Sequence, residues 1–317
     1  MQAAHVILAR RPSAAGRIAV ELAARGFMNE RRKATLSSVD QLDAQRLSDS
    51  VMQDIPCRLC GGKSTEKFHL RGLQGIDITY FECINCGSLQ TQEPTWLPEA
   101  YKRSNLANAD TGAAQRVLGN HALVLMAAKV LRLQTILDFG GGDGLLCRLL
   151  RDRGLDAETV DGYSTPTYAR MYKGDLARRY DLITAFEVFE HLPQPATTLG
   201  HLFRARPKFI IASTEVYSGQ DSEWWYLAPL EGQHVFFYSR NGLQLLASRN
   251  GYAYYPLRGW HMFAKEPLTQ TQFWKVWGLT SDKALRLFRA TLPFSETWNW
   301  VQRDLNKAVE HIRSNFS

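Results

Sequence analysis

The sequence predicts an α/β fold: a parallel, doubly wound sheet with helices on both faces, behind a small four-cysteine module. Three observations predict it. Short apolar runs alternate with helical stretches from Thr135 onward. The first of these runs passes directly into a glycine-rich turn and then a helix. Upstream, two Cys-x-x-Cys pairs stand twenty-two residues apart.

The 317 residues are 45% hydrophobic and 22% charged, enough to bury a large core and too apolar for wholesale disorder. A net charge of +7 admits an anionic substrate such as a nucleotide-linked sugar, a nucleic acid or a membrane surface, and selects none of them. No apolar run reaches the roughly eighteen residues of a membrane span. Residues 1–52 read as a basic extension, with seven Lys/Arg against two Glu up to Lys33. Its composition suits an organelle transit peptide, a solvated amphipathic helix or a non-globular arm. Arg10, Arg11 and Arg17 interrupt the apolar stretch that a secretory signal needs. Five cysteines, four of them paired as Cys-x-x-Cys, suit a reducing cytoplasm and a metal better than disulfides.

Residues 53–93 form the cysteine module, with IDITYFEC as its clearest strand. Cys57, Cys60, Cys83 and Cys86, each pair followed by glycine, have the spacing of a zinc ribbon. Redox cysteines and a metal-free knuckle are the alternatives. Four thiolates leave zinc no open position, so Zn2+ here is expected to be structural. Residues 94–130 read as a helical linker or lid carrying a stripe of Val117, Leu118, Ala122, Leu125 and Met126.

The main domain covers residues 131–267. TILDF, AETVD, DLITAFEV and KFIIAST are its successive strands, and YAYYPL with GWHMFA is a closing pair. Residues 268–317 read as a helical tail whose Trp274, Trp277, Trp298 and Trp300 dock it on the domain. Cys147, in the helix after the glycine turn, reads as a small core residue.

The turn Asp138-Phe139-Gly140-Gly141-Gly142-Asp143-Gly144 is the most informative stretch. Its glycines let the backbone approach a ligand closely, and the helix behind offers free N–H groups. The spacing is not G-x-G-x-x-G; S-adenosylmethionine (SAM), a dinucleotide or a purely structural turn are its three readings. The D-x-G-x-G-x-G form resembles motif I of class I, Rossmann-like SAM-dependent methyltransferases. That resemblance implies that Asp138, Phe139, Gly140 and Gly142 hold the methionine part of SAM. An acid at the end of the second strand would accept the ribose hydroxyls. Asp161 takes that place, with Ser164 as a rival and a plain turn residue as the alternative. The stretch from Asp181 to Leu192 resembles motif IV and its following Glu-His-Leu, so Glu187, Val188 and Phe189 are expected beside the cofactor and His191 beside the substrate. Only nineteen residues separate Asp161 from Asp181, which leaves little room for a third strand.

A zinc ribbon ahead of such a domain resembles the sugar C-methyltransferases that act on nucleotide-linked keto sugars, and also bacterial methyltransferases of polysaccharide pathways. The cysteine pairs, the segment Tyr101-Lys102-Arg103-Ser104, motifs I and IV, and Gln233-His234-Val235-Phe236-Phe237-Tyr238-Ser239 carry the likeness. It implies His234 as general base, His191 as a second active-site histidine and Tyr101 as their companion. Gln233 stands where that family has Glu, and a neutral neighbour does not support a protonated base as a carboxylate does. His261 is a third candidate base, since histidine titrates near neutrality. Trp224, Trp225 and Tyr226 suit either stacking on a ligand or packing. The expected substrate is a small molecule, best a nucleotide sugar or polysaccharide precursor. The alternatives are RNA methylation with the ribbon on the nucleic acid, and a non-catalytic zinc- and SAM-binding interaction protein.

Overall fold

The computed structural model describes residues 54–102, 112–281, 283 and 303–304. The basic extension 1–52, Arg103, Ser104, Trp298 and Trp300 lie outside the described residues.

Two sheets organise the chain. The first is antiparallel and built from β1 (Ile55–Pro56), β2 (Lys63–Arg71), β3 (Asp77–Cys83), β4 (Leu89–Thr91) and β9 (Phe236–Phe237), in that order. Helix α1 (Leu97–Lys102) follows β4, and α2 (Ala113–Leu131) leads into the second sheet. That sheet holds β5 (Thr135–Phe139), β6 (Asp156–Val160), β7 (Leu182–Phe186), β8 (Phe209–Ser213), β10 (Ala253–Pro256) and β11 (His261–Ala264), in the order β10-β11-β8-β7-β5-β6. The four strands β8, β7, β5 and β6 are parallel, and β11 and β10 complete the edge antiparallel.

The parallel strands bury both faces, so their apolar runs are continuous rather than alternating. Leu137, Ile183 and Ile210 face one side, against Leu199, Leu202 and Phe203 of α4 (Pro195–Arg204) and Leu243 and Leu246 of α5 (Arg240–Arg249). Their neighbours Ile136, Leu182 and Ile211 face the other, against α2 and Leu146, Cys147 and Leu150 of α3 (Leu145–Arg151). Cys147 is fully buried there, as expected of a core residue. The α/β fold of the sequence reading is therefore present, with helices on both faces.

The short Asp161–Asp181 interval is without a strand, as its length implied, and two further details differ from expectation. A single parallel bridge, Thr159 to Lys173, marks the interval, and β6 is the sheet edge. The buried face of α2 is wider than the stripe and includes Asn120, His121, Leu123, Val124 and Ala127, because α6 (Gln270–Leu279) packs on α2 as well. The cysteine module does not close on itself. Its fifth strand, β9, comes from the segment that contains His234, with Leu89 paired to Phe237 and Gln90 to Phe236. Helix α6 is capped by a Thr269–Gln272 box and buries Val276 against the domain. Further along, Asp304 accepts from Arg148 and Arg151 of α3.

Candidate active site

The glycine turn sits where β5 ends and α3 begins. Gly140, Gly142 and Gly144 have φ of 73°, 56° and 80°, a region that side chains with a Cβ avoid. A Cβ on Gly142 would meet nothing within 4 Å, so this residue opens onto free space. A Cβ on Gly140 would come within 2.4 Å of the Val188 side chain. The turn is braced from β6: Asp161 accepts from Gly142 N at 3.0 Å through one oxygen, and from Tyr163 N and Ser164 N through the other.

Asp138 lies beneath the turn, close under Gly141, and accepts from the Thr184 hydroxyl at 2.8 Å. Burial pushes its pKa up to about 7, partly opposed by that hydrogen bond.

Beside the turn lies a cleft of about 1100 Å3. Tyr101, Phe139, Gly140, Asp161, Glu187, Val188 and His191 all line it, joined by Tyr163, Ser164 and Gln233. Residues far apart in sequence thus meet in one place. Asp138, Gly142, Phe189 and His234 do not line the cleft. Phe189 corrects the sequence reading: it is fully buried between Tyr238 and Phe263, because it opens a 3-10 turn, Phe189–His191, whose geometry points it at the core. Tyr101 and Tyr163 stack with ring centroids 3.9 Å apart and planes 11° from parallel. Burial raises the Tyr101 hydroxyl well above its ordinary pKa, so it stays protonated.

Glu187 ends β7 with φ of 53°, rare for a residue with a side chain. Ser213, at the end of β8, holds it: the hydroxyl donates to Glu187 Oε1 at 2.6 Å, and Glu187 N donates back to that hydroxyl and to the Ser213 carbonyl. Burial, then the charge of Glu190, raises the Glu187 carboxyl. Strain of this kind is kept where the surroundings enforce it, and here it aims a carboxylate at the cleft.

His191 and His234 meet edge to face, with centroids 4.9 Å apart. His191 Nδ1 faces the Gln233 carbonyl at 3.1 Å, and His234 Nδ1 faces the Tyr226 carbonyl at 2.6 Å. A carbonyl only accepts, so each Nδ1 carries a hydrogen and each Nε2 is the nitrogen left for another partner. Burial, reinforced by His234, pushes His191 down to about 3, so its ring is neutral. Gln233, in the position of the sugar-family Glu, turns its side chain away and donates to the Ala100 carbonyl of α1. The carboxylate near the histidines is Glu190 instead, 3.9 Å from His191 Nε2, and no sequence motif assigned it a role.

His261 is occupied at both nitrogens, by the Tyr254 hydroxyl and the Thr214 carbonyl, and is a structural residue. Trp224 and Tyr226 pack with Phe237, whereas Trp225 is 73% exposed.

The four module cysteines form a second constellation. Their sulfurs all lie within 4.8 Å of one another, with Cys57 to Cys86 at 3.8 Å and Cys60 to Cys83 at 3.4 Å. Sulfurs around a tetrahedral zinc at about 2.3 Å stand roughly 3.8 Å apart. The donor set therefore fits one zinc ion.

Residues 112–257 match a family model described as a methyltransferase domain. The chain therefore carries a methyltransferase domain, the mark of an enzyme that uses SAM. The matched region begins just before α2 and contains the glycine turn, Asp161, Glu187 and both histidines. No curated protein matches the chain. Among solved structures, the methyltransferase resembles the methyltransferase domain of bacterial CtHen1 (21% identity, 46% of this chain and 99% of that one, TM-score 0.33). It also resembles the Synechocystis PCC 6803 magnesium protoporphyrin IX methyltransferase with bound SAH (14% identity, 54% and 94%, TM-score 0.38). A third is CalO1, a methyltransferase in calicheamicin biosynthesis (14%, 53% and 61%, TM-score 0.38). Among the described residues no helix of the methyltransferase is long and apolar enough to cross a membrane.

Proposed function

We propose that this methyltransferase acts on a small-molecule acceptor, a nucleotide-linked sugar or polysaccharide precursor, and that the imidazole pair His191–His234 receives the acceptor's proton. The single observation that carries the reading is the shared cleft. Its roughly 1100 Å3 runs from the glycine turn to His191, more than one small ligand ordinarily fills.

SAM supplies an activated methyl group on a sulfonium. Gly140, with Gly142 beside it, provides the open cradle for its methionine part, and Asp161 and Val160 border the ribose side. Glu187 and Val188 stand between that cradle and the histidines. Alignment of acceptor with methyl group is the main work left to the protein, and is worth several kcal/mol. A carbon or oxygen acceptor must also lose a proton, and an imidazole pair whose Nδ1 atoms are tied to backbone carbonyls suits that step through Nε2. Tyr163, exposed and backed by the stacked Tyr101 ring, offers an aromatic edge and a hydroxyl at the cleft, a combination that suits a sugar.

Cys57, Cys60, Cys83 and Cys86 hold a structural zinc in this reading. A closed four-sulfur site contributes folding energy and no catalysis. Reduced thiols suit the cytoplasm.

The test is transfer of labelled methyl from SAM to a panel of nucleotide-linked sugars, with His191→Ala and His234→Ala alongside. Turnover is expected to fall about a hundredfold in each variant while SAM affinity stays within about threefold. Unchanged turnover in both removes the histidines from the chemistry. Labelling of RNA alone replaces the substrate class.

A further inference from the structure

The Glu190 carboxylate is fully buried, and neither oxygen has a donor in hydrogen-bond geometry among the described residues. The hydroxyls of Tyr226 and Thr214, 3.3 Å apart, stand close enough to act on the carboxylate without completing a well-formed hydrogen bond to it. A buried carboxylate so weakly partnered costs several kcal/mol unless a cation meets it. What faces it is the histidine pair. Glu190 Oε1 is 3.9 Å from His191 Nε2, and one ligand atom from each of Glu190, His191 and His234 falls within 4.8 Å of the others.

We propose that Glu190, His191 and His234 bind a divalent transition-metal cation just behind the point where His191 borders the cleft. The ligand chemistry is complete without rearranging the chain. Two imidazole nitrogens and one carboxylate suit Mn2+, Co2+, Fe2+ or Zn2+. Ligand atoms about one such ion stand roughly 3–4 Å apart, so closure from the observed spacing takes side-chain shifts of about an ångström. Each Nδ1–H is already tied to a backbone carbonyl, at Gln233 and Tyr226, which orients each Nε2 as the ligand. Three protein ligands leave positions open. Glu187, on the cleft wall, places a second carboxyl near the pair.

The proposal rests on the methyl-transfer reading of the same cleft and sharpens it. The imidazoles act as ligands of the cation rather than taking the proton themselves, and the acceptor atom is oxygen. An acceptor hydroxyl on the cation loses its proton to solvent near neutral pH. The oxygen lone pair then forms the bond to the methyl carbon, and the carbon–sulfur pair stays on sulfur. The sulfonium becomes a neutral thioether and the product is a methyl ether.

The test is Mn2+ alone, titrated into the full chain with its cysteine-bound zinc retained and followed by electron paramagnetic resonance. Mn2+ is chosen because four thiolates bind it poorly. One saturable Mn2+ per chain is expected, with turnover raised by its addition. Glu190→Gln and His191→Asn should each weaken Mn2+ binding at least tenfold, read on protein whose circular dichroism matches the parent. His234→Asn carries the same reading if either variant fails to fold. Absence of saturable Mn2+ overturns the site, as does Mn2+ binding that Glu190→Gln and His191→Asn leave unchanged. SAM affinity is measured on the same samples. A parent chain that binds Mn2+ but not SAM would overturn the methyl-transfer reading and leave the cation site standing.

Discussion

The Arg58 guanidinium donates through Nη2 to the Val235 carbonyl at 2.7 Å. Arg58 follows the first module cysteine, and Val235 follows His234. The same guanidinium reaches the Thr91 carbonyl at 3.0 Å and, through Nη1, the Pro193 carbonyl at 3.1 Å, two residues beyond His191. Its burial lowers its pKa to about 10, so it remains charged. One side chain of the cysteine module thereby holds the backbone on either side of the histidine pair.

Arg58→Leu leaves three carbonyls without this donor. The Val235 carbonyl keeps the Thr91 N–H at 3.1 Å, and a buried group left unpaired costs about 1–3 kcal/mol, offset in part by relaxation. A loss of about 3 kcal/mol is expected, or a melting temperature lower by roughly 6–12 °C for a unit of this size. Arg58→Lys, which cannot fork to three acceptors, should keep more of the fold yet lower turnover. Differential scanning calorimetry and single-turnover rates check both.

Gly142→Arg and Gly140→Ala should fail in different ways. The new side chain at 142 projects into open space, so SAM affinity by isothermal titration should fall at least a hundredfold while the melting temperature moves only slightly. At 140 the methyl group meets Val188 and the φ of 73° adds strain, about 1–3 kcal/mol. Gly140→Ala should therefore lose stability together with affinity. Parent-like affinity in Gly142→Arg would remove the turn from the site.

Cys60→Ser should abolish zinc, measured by elemental analysis, and lower the melting temperature. The effect should reach catalysis, because β9 both completes the cysteine sheet and carries the chain out of His234. A further tie runs from the Ser239 hydroxyl, which caps α5, to the Cys86 carbonyl. Full metal content in this variant would refute the four-sulfur site.

Asp138 predicts a pH dependence. Its proton is held up to about pH 7 in the fold, against about 3.9 in an unfolded chain. A folded state that binds its proton more tightly is favoured at low pH. The contribution is complete below about pH 4 and is lost as pH rises through 7. Asp138→Asn should remove that part of the slope, so parent and variant melting curves should diverge between pH 4 and 7. Parallel curves would mean that the carboxyl is ionised throughout.

The sequence by itself determined the local pieces. Apolar runs of strand length, a glycine turn at a strand end and two Cys-x-x-Cys knuckles are encoded over a few residues each, so the order of β5, β6, β7 and β8 and the four sulfur ligands were legible. The residues lining the cleft through Tyr101, Asp161, Glu187 and His191 followed from their resemblance to known motifs. Tertiary structure alone decided the rest, because it depends on chain segments meeting from afar. Strand β9 joins a sheet begun nearly 180 residues earlier. Phe189 turns into the core only because the Phe189–His191 turn follows a strained Glu187. Glu190 gains its meaning from His234, forty-four residues on, which no local pattern places beside it.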